Sequence, residues 1–400
     1  MKSQIPRALC MALCLMLLLC ACVPRPSGED GRPDASTETD SAGDASTEPE
    51  TEPEPTPVPS PEPMPTPENL VAYQGDKLYH IFYHFLIAFP EIAYSNSYGR
   101  NLDNDSITPT EFRRSLEELY KNNFVLVDLN DYYEKGEDGN VRMVPIMVPE
   151  GKRPLVMSFD DINYYSKNLG LGICDKIIID PATGKLAMST MQDGKELITY
   201  DNDIVPMLEA FVEEFPDFAP FGTLGMLNLT GFDGILGYRT QRDSPNRESE
   251  IEAVRPIVQK LKDNGWYFAS HSFGHPNMSK MSLEGWQKDL HRWQDEVAPL
   301  VGDTKIHVFA YGDYAGAGLF QGRFTDPRMR YMIDEMGFEV LCGVGRDPFF
   351  KAVGNALFCD RFNIDGFSLR KGHRAFEGMM DPNVVYYPPE RDGRPITWTG

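Results

Sequence analysis

The stretch KLKDNGWYFASHSFGHP, residues 260–276, reads as the end of a helix, a tight turn, and a strand that runs into two histidines. Asp263-Asn264-Gly265 is turn chemistry, and the aromatic run Trp266-Tyr267-Phe268 is strand chemistry. His271 and His275 are four apart, a spacing that on a helix would put both imidazoles on one face. Gly274 and Pro276 flank the second histidine, and both disfavour a helix interior. The pair is therefore expected on a loop at the carboxyl end of a strand. A loop can still aim two imidazoles at one ion, so a third ligand should exist elsewhere in the chain.

The same rhythm recurs on both sides. NRESEIEAVRPIVQKLKDNG (246–265) reads as the preceding helix, and SLEGWQKDLHRWQDEVAPL (282–300) as an amphipathic one. Its Trp286, Leu290, Trp293 and Val297 share a face, which makes the tryptophans core residues rather than a sugar platform. KIHVFAYG, DPRMRYMIDEMG and FEVLCGVG follow as strand, helix and strand. Toward the N-terminus, LYHIFYH (78–84), FVLVDL (124–129), RPLVMSFDD (153–161) and FGTLGML (221–227) read as strands. TPTEFRRSLEELYKNN (108–123) is a helix with Thr108 as N-cap, Pro109 in the first turn and Glu111 closing a capping box. DIVPMLEAFVEEF (203–215) is another helix, whereas DKIIIDPATGKLAMS reads as a hairpin at the mouth of the fold. Alternation repeated this often implies a parallel sheet, either a barrel or a doubly wound layer. In both, chemistry gathers at the carboxyl ends of the strands.

Two such ends carry ionisable groups: His271 closes WYFAS, and Asp160-Asp161 close LVMSF. Neighbours on a strand face opposite ways, so the two aspartates are separately aimed unless the strand has ended. One completes an Asp-His-His metal site, and the other, left free, takes a proton from the attacking water. Such a set hydrolyses carbonyl derivatives.

The residues MSFDD (157–161) and HSFGHPNMSKMS (271–282) resemble the first two motifs of NodB-type polysaccharide deacetylases, and VFAYGDY (308–314) is similar to their third. YHFL and the helix–strand approach to the first motif match as well, so the resemblance spans roughly 75–345. It implies a deformed (β/α) barrel, with a hairpin insertion after the first motif, that removes acetyl groups from acetylated polysaccharide or oligosaccharide. By the same resemblance Asp160 is the base, one divalent ion, zinc by ligand type, is held by Asp161, His271 and His275, and the backbone around Tyr311 stabilises the oxyanion. Two departures accompany it. Gly312 stands where the third motif has proline, and the late strand of LFCDRFNIDGFSLRKGH (357–373) lacks the histidine that protonates the leaving amine, His373 coming only after it. Tyr164 and Tyr165 are candidates for stacking on sugar. His80 and His84 read equally as pocket or core, His307 as a satisfied strand histidine, and Arg361 and Asp365 as tuning the base or bracing a turn.

The chain begins with a basic, then apolar, leader ending Leu19-Cys20-Ala21-Cys22, which resembles a bacterial lipobox. This predicts a signal peptide over 1–21, a lipidated Cys22, and an extracytoplasmic protein anchored to the lipid bilayer. Residues 22–69 are acidic and proline-rich and should form an extended linker, leaving 70–400 as the deacetylase-like domain. The net charge of −22 argues against nucleic acid as a partner. Cys174, Cys342 and Cys359, which remain after the leader and Cys22, are too few for a disulfide framework and read as buried thiols, with a single bridge as the alternative. An O-acetyl esterase, or a glycan-binding lipoprotein that has lost its acid, are the alternatives to N-deacetylation.

Overall fold

The computed structural model describes residues 67, 69–75, 77–316, 318–319, 322–371 and 376–391. Seven strands pair in parallel and in chain order: β1 (Tyr79–His84), β2 (Arg153–Asp160), β3 (Gly225–Leu229), β4 (Trp266–Ser270), β5 (Ile306–Val308), β6 (Val340–Val344) and β7 (Ala356–Asn363). β7 returns to β1, with Phe362 and Asn363 opposite Ile81 and Phe82, and the sheet closes into a barrel. The expected (β/α) barrel is thus the observed one, and the doubly wound alternative is excluded.

The deformation has two sources. A short strand, Phe124–Leu126, takes the edge of β2 at Arg153–Leu155, so β3 joins that edge only at Ser158–Asp160. Another, Phe349–Val353, runs antiparallel along the first half of β7 and delays the meeting of β7 with β1. It also stands where a helix would otherwise link β6 to β7.

Helices α1 (Pro109–Lys121), α2 (Ile204–Glu214), α3 (Arg247–Asp263), α4 (Leu283–Glu296) and α5 (Pro327–Asp334) follow from local sequence. Thr108 and Glu111 form the expected capping box, the Glu111 carboxylate accepting the Thr108 N–H at 3.0 Å. Phe112, Leu116 and Leu119 bury the α1 stripe against the outward side chains Met157 and Phe159 of β2. On α4, Ser282 caps the Gly285 N–H, and Trp286, Leu290 and Trp293 are buried, as a core stripe should be. Inward residues of alternate positions, among them Val156, Met226, Val308, Cys342 and Cys359, fill the barrel.

The insertion after β2 is larger than expected. Lys176–Ile179 and Leu186–Gln192 form the expected hairpin, and Lys195–Thr199 adds a third antiparallel strand. Asp193-Gly194 joins them with both residues at positive φ, 50° and 74°, the two-residue turn that an Asp-Gly pair favours.

A buried ion network ties residue 391 to the start of α1. Arg391 donates to both Glu111 oxygens from Nε (2.9 and 3.0 Å) and to Asp103 from Nη1 (3.3 Å), and all three side chains are buried. Arg391→Ala leaves the buried Glu111 carboxylate without its cation, while Arg370 still faces Asp103, and should cost about 3–5 kcal/mol. Urea unfolding of the two proteins checks this; a loss within about 0.5 kcal/mol, typical of a surface change, would contradict it.

Candidate active site

β2 delivers Asp160 into the barrel mouth, and the strand ends there. Asp161 turns into the left-handed region (φ 59°), which cancels the strand alternation and brings its carboxylate to the same cleft. Asp161, His271 and His275 place one ligand atom each within 4.8 Å of one another. Asp161 Oδ2 lies 3.6 Å from His275 Nε2, and the two imidazole centres are 4.9 Å apart.

Each of these side chains is aimed by a partner. His271 Nδ1 is 2.9 Å from the carbonyl of Val308 on β5, so Nδ1–H donates and Nε2 is left bare toward the cleft. The Tyr165 hydroxyl donates to Asp161 Oδ1 at 2.6 Å and also meets Thr230 Oγ1 at 2.8 Å. Between the histidines, the backbone N–H groups of Phe273 and Gly274 both donate to Asp289 of α4, at 2.8 Å. Ser272 and His275 are held at φ 62° and 52°, strain that this anchoring must sustain. Asp289 is half-buried at the flank of the tryptophan stripe, and nothing in its local sequence marks it as a loop anchor.

Asp160 has a different environment from its neighbour. Arg361 grips it with a planar fork, Nη1 to Oδ1 at 2.7 Å and Nη2 to Oδ2 at 2.9 Å, and Asn228 Nδ2 donates to Oδ1 at 2.6 Å. Burial pushes the carboxyl upward, but the Arg361 guanidinium and the nearby imidazoles outweigh it and hold Asp160 well below the usual carboxylate range. Arg361 therefore tunes Asp160. Asp365, the other residue of that pair, instead braces a turn by accepting the Ser368 N–H at 2.6 Å.

The cleft above these groups has a volume of about 740 Å³. His84, the last residue of β1 and directly opposite Asp160 in register, lines it. Its Nδ1 is buried without a hydrogen-bond partner among the described residues. His84 thus puts an imidazole on the cleft wall, on the strand beside Asp160. His307 sits behind the sheet against Trp286, Phe309 and Phe338, as a strand histidine of the core. His373 lies outside the described residues, as does Cys22.

Tyr311 stands beside His275, with ring centres 4.6 Å apart, and is 70% exposed. The departure at Gly312 has a local cause: φ is 62°, which proline cannot adopt, and a Cβ there would stand 2.5 Å from that of Val344. Tyr164 must be corrected. It is wholly buried, in the hydrophobic core, and offers no ring face to a sugar. Tyr165 is almost as buried, its hydroxyl committed to Asp161 and its ring stacked on Phe232 at 4.6 Å. Phe232, 36% exposed at the cleft, is the aromatic that faces outward instead.

The donor set suits a divalent metal. One carboxylate oxygen and two imidazole nitrogens converge, and His271 and Asp161 have their other polar atoms occupied by protein, which is how ligands of a built site are oriented.

Among known proteins, the family model described as polysaccharide deacetylase matches residues 245–319, from just before α3 through the histidine loop to beyond β5. Similar solved structures include the Streptococcus pyogenes deacetylase PplD in complex with acetate, at 12% identity over 72% of this chain and 93% of that one, with a TM-score of 0.39. A candidate polysaccharide deacetylase of Bacillus anthracis is similar at 10% identity over 72% and 65% of the two chains, TM-score 0.39. One of Mycobacterium smegmatis follows at 15% identity over 41% and 46%, TM-score 0.26. No curated protein matches the sequence. The family model falls on the segment that carries the second motif, residues 271–282.

His271→Ala and His275→Ala should each lose most of the bound divalent metal while the fold survives. Tyr165→Phe, which removes only the hydroxyl behind Asp161, should weaken binding about 10–100-fold. Metal titration with circular dichroism as the folding control decides both, and full stoichiometry in either alanine variant would refute the assignment.

Proposed function

We propose that this protein is a metal-dependent deacetylase that removes N-acetyl groups from cell-wall or extracellular glycan. The observation that supports it most is the arrangement of three kinds of group about one cleft. These are a ligand set (Asp161, His271, His275), a carboxylate clamped in its ionised form (Asp160), and an imidazole on the adjoining strand (His84).

A zinc ion, the metal favoured by one carboxylate and two imidazoles, would polarise the acetyl carbonyl and acidify a water molecule. Asp160 takes the proton from the attacking water, and Arg361 keeps the carboxylate ionised and oriented between turnovers. The backbone at Tyr311 faces the same cleft and stabilises the oxyanion. His84 gives a proton to the leaving nitrogen as the C–N bond breaks, so acetate and a free amine depart. Phe232 and the exposed Tyr311 ring border the cleft and suit the apolar face of a sugar. The glycan-binding alternative drew on the absence of an acid, and an imidazole at His84 removes that ground. Lipidation at Cys22, with 22–69 as a tether, would put the domain on the outer face of the bacterial membrane, within reach of the wall.

The metal-loaded full chain is assayed for acetate release from chitooligosaccharide, peptidoglycan and an O-acetylated glycan. Asp160→Asn should keep the metal and lose about 10²–10⁴ in rate on every substrate. His84→Gln should be selective, since an amine needs a proton to leave and an alkoxide needs it less. Amide hydrolysis should fall about 10²-fold or more, and ester hydrolysis by much less. Equal loss on both would show that His84 is not the acid. A loaded wild type that cleaves neither substrate would end the deacetylase proposal.

A further inference from the structure

Inside the barrel, below Arg361, a second set of metal donors converges that the deacetylase reaction does not use. His80 on β1, Cys342 on β6 and Cys359 on β7 are all buried, and each offers an atom within 4.8 Å of the others. The cysteines are directly opposite in register, with their sulfurs 3.3 Å apart and Cys359 Sγ 3.8 Å from His80 Nδ1. An ion held about 2.3 Å from sulfur and about 2.0 Å from nitrogen sets its donors roughly 3.5–4 Å apart. The three atoms therefore already stand near the spacing an ion would impose.

The remaining nitrogen of the histidine is also held. His80 Nε2 lies 3.0 Å from Ser158 Oγ, which in turn accepts Arg361 Nη1 at 3.3 Å. A ligating imidazole braced through its far nitrogen is the usual arrangement in built metal sites. Burial and the Arg361 charge hold His80 neutral, the form that ligates. A small cavity bordered by Asp347 and Asp360 reaches His80.

We propose that His80, Cys342 and Cys359 form a buried site for a soft cation, Cu(I), distinct from the Asp161–His271–His275 set. Two sulfurs and one imidazole are a soft donor set, and three donors satisfy Cu(I), whereas structural zinc takes four. Binding releases one proton from each thiol, and the resulting two thiolates and one Cu(I) carry a net negative charge beside the Arg361 guanidinium. The thiols are free in the structure, their contact being a hydrogen bond rather than a disulfide.

The test uses the full chain, reduced and without oxygen, with Cys10, Cys14, Cys20 and Cys22 replaced by serine so that leader thiols do not compete. Cu(I) is supplied as its bicinchoninate complex, and the protein-bound fraction is measured. The expected result is one equivalent retained, with two sulfurs and one nitrogen around copper by X-ray absorption. Cys342→Ser and Cys359→Ser should each abolish retention, and His80→Ala should weaken it about 10–100-fold. Cys174→Ser and His271→Ala should retain the full equivalent. Surrender of all the copper by the unsubstituted barrel would overturn the proposal. So would loss in His271→Ala, or a Cys342–Cys359 disulfide in the protein as isolated. Should the serine variants fail to fold, the absorption spectrum of the parent still decides, because any other donor count refutes the site.

Discussion

The Arg361 fork on Asp160 is the contact around which the barrel mouth is organised. A carboxylate as buried as this one would protonate or drive water in unless a fixed cation faced it. The two residues lie on β2 and β7, strands that come to flank β1 only because the sheet closes. Closure therefore has a chemical as well as a structural consequence. It lets a guanidinium from late in the chain hold an early carboxylate in its ionised form. Asn228 adds a neutral donor from β3 on the other side, so three strands converge on one side chain. Replacing such a pair with apolar residues can leave stability unchanged, and the pair is better understood as serving the base than the fold.

A second constraint is backbone geometry at the ends of β2 and β4. Asp161, His275 and, after β5, Tyr311 all have positive φ without being glycine and line the same cleft, and Ser272, between the two histidines, shares that conformation. Such conformations persist where surrounding hydrogen bonds over-determine them. Asp289 on the loop N–H groups, Tyr165 on Asp161 and the Val308 carbonyl on His271 do this here. Strand pairing positions the mouth, and these anchors hold the strained residues after β2 and β4 at it.

Much of this was legible in the chain itself. Caps, stripes and turn pairs exposed most helices and strands, because those signals are local, and the histidine spacing with Gly274 and Pro276 placed the metal loop. What stayed hidden depended on distance in sequence. Arg361 reads like any charged strand residue until β7 is set two strands from β2. Tyr164 and Tyr165 look alike in sequence, but the left-handed turn at Tyr164 (φ 51°) sends one ring into the core and the hydroxyl of the other to Asp161. The third strand of the insertion was within reach, since Asp193-Gly194 is a strong hairpin signal.

The displaced acid follows from the same closure. By resemblance the leaving-group histidine belongs at the end of a late strand, and the end of β7 is Asn363, which also lines the cleft. In a linear list of motifs that position is empty. In a closed barrel it is not isolated, because Asn363 pairs with Phe82 and β1 continues from there to His84. An imidazole on β1 can therefore occupy the angular sector that a late-strand histidine would have filled. It also stands next to Asp160 in register, so the proposed base and acid lie on adjoining strands. The proposed reaction needs a proton donor at that side of the cleft and is indifferent to which end of the chain provides it. Motif order is a property of the chain, whereas the reaction requires only positions around the ring of strands.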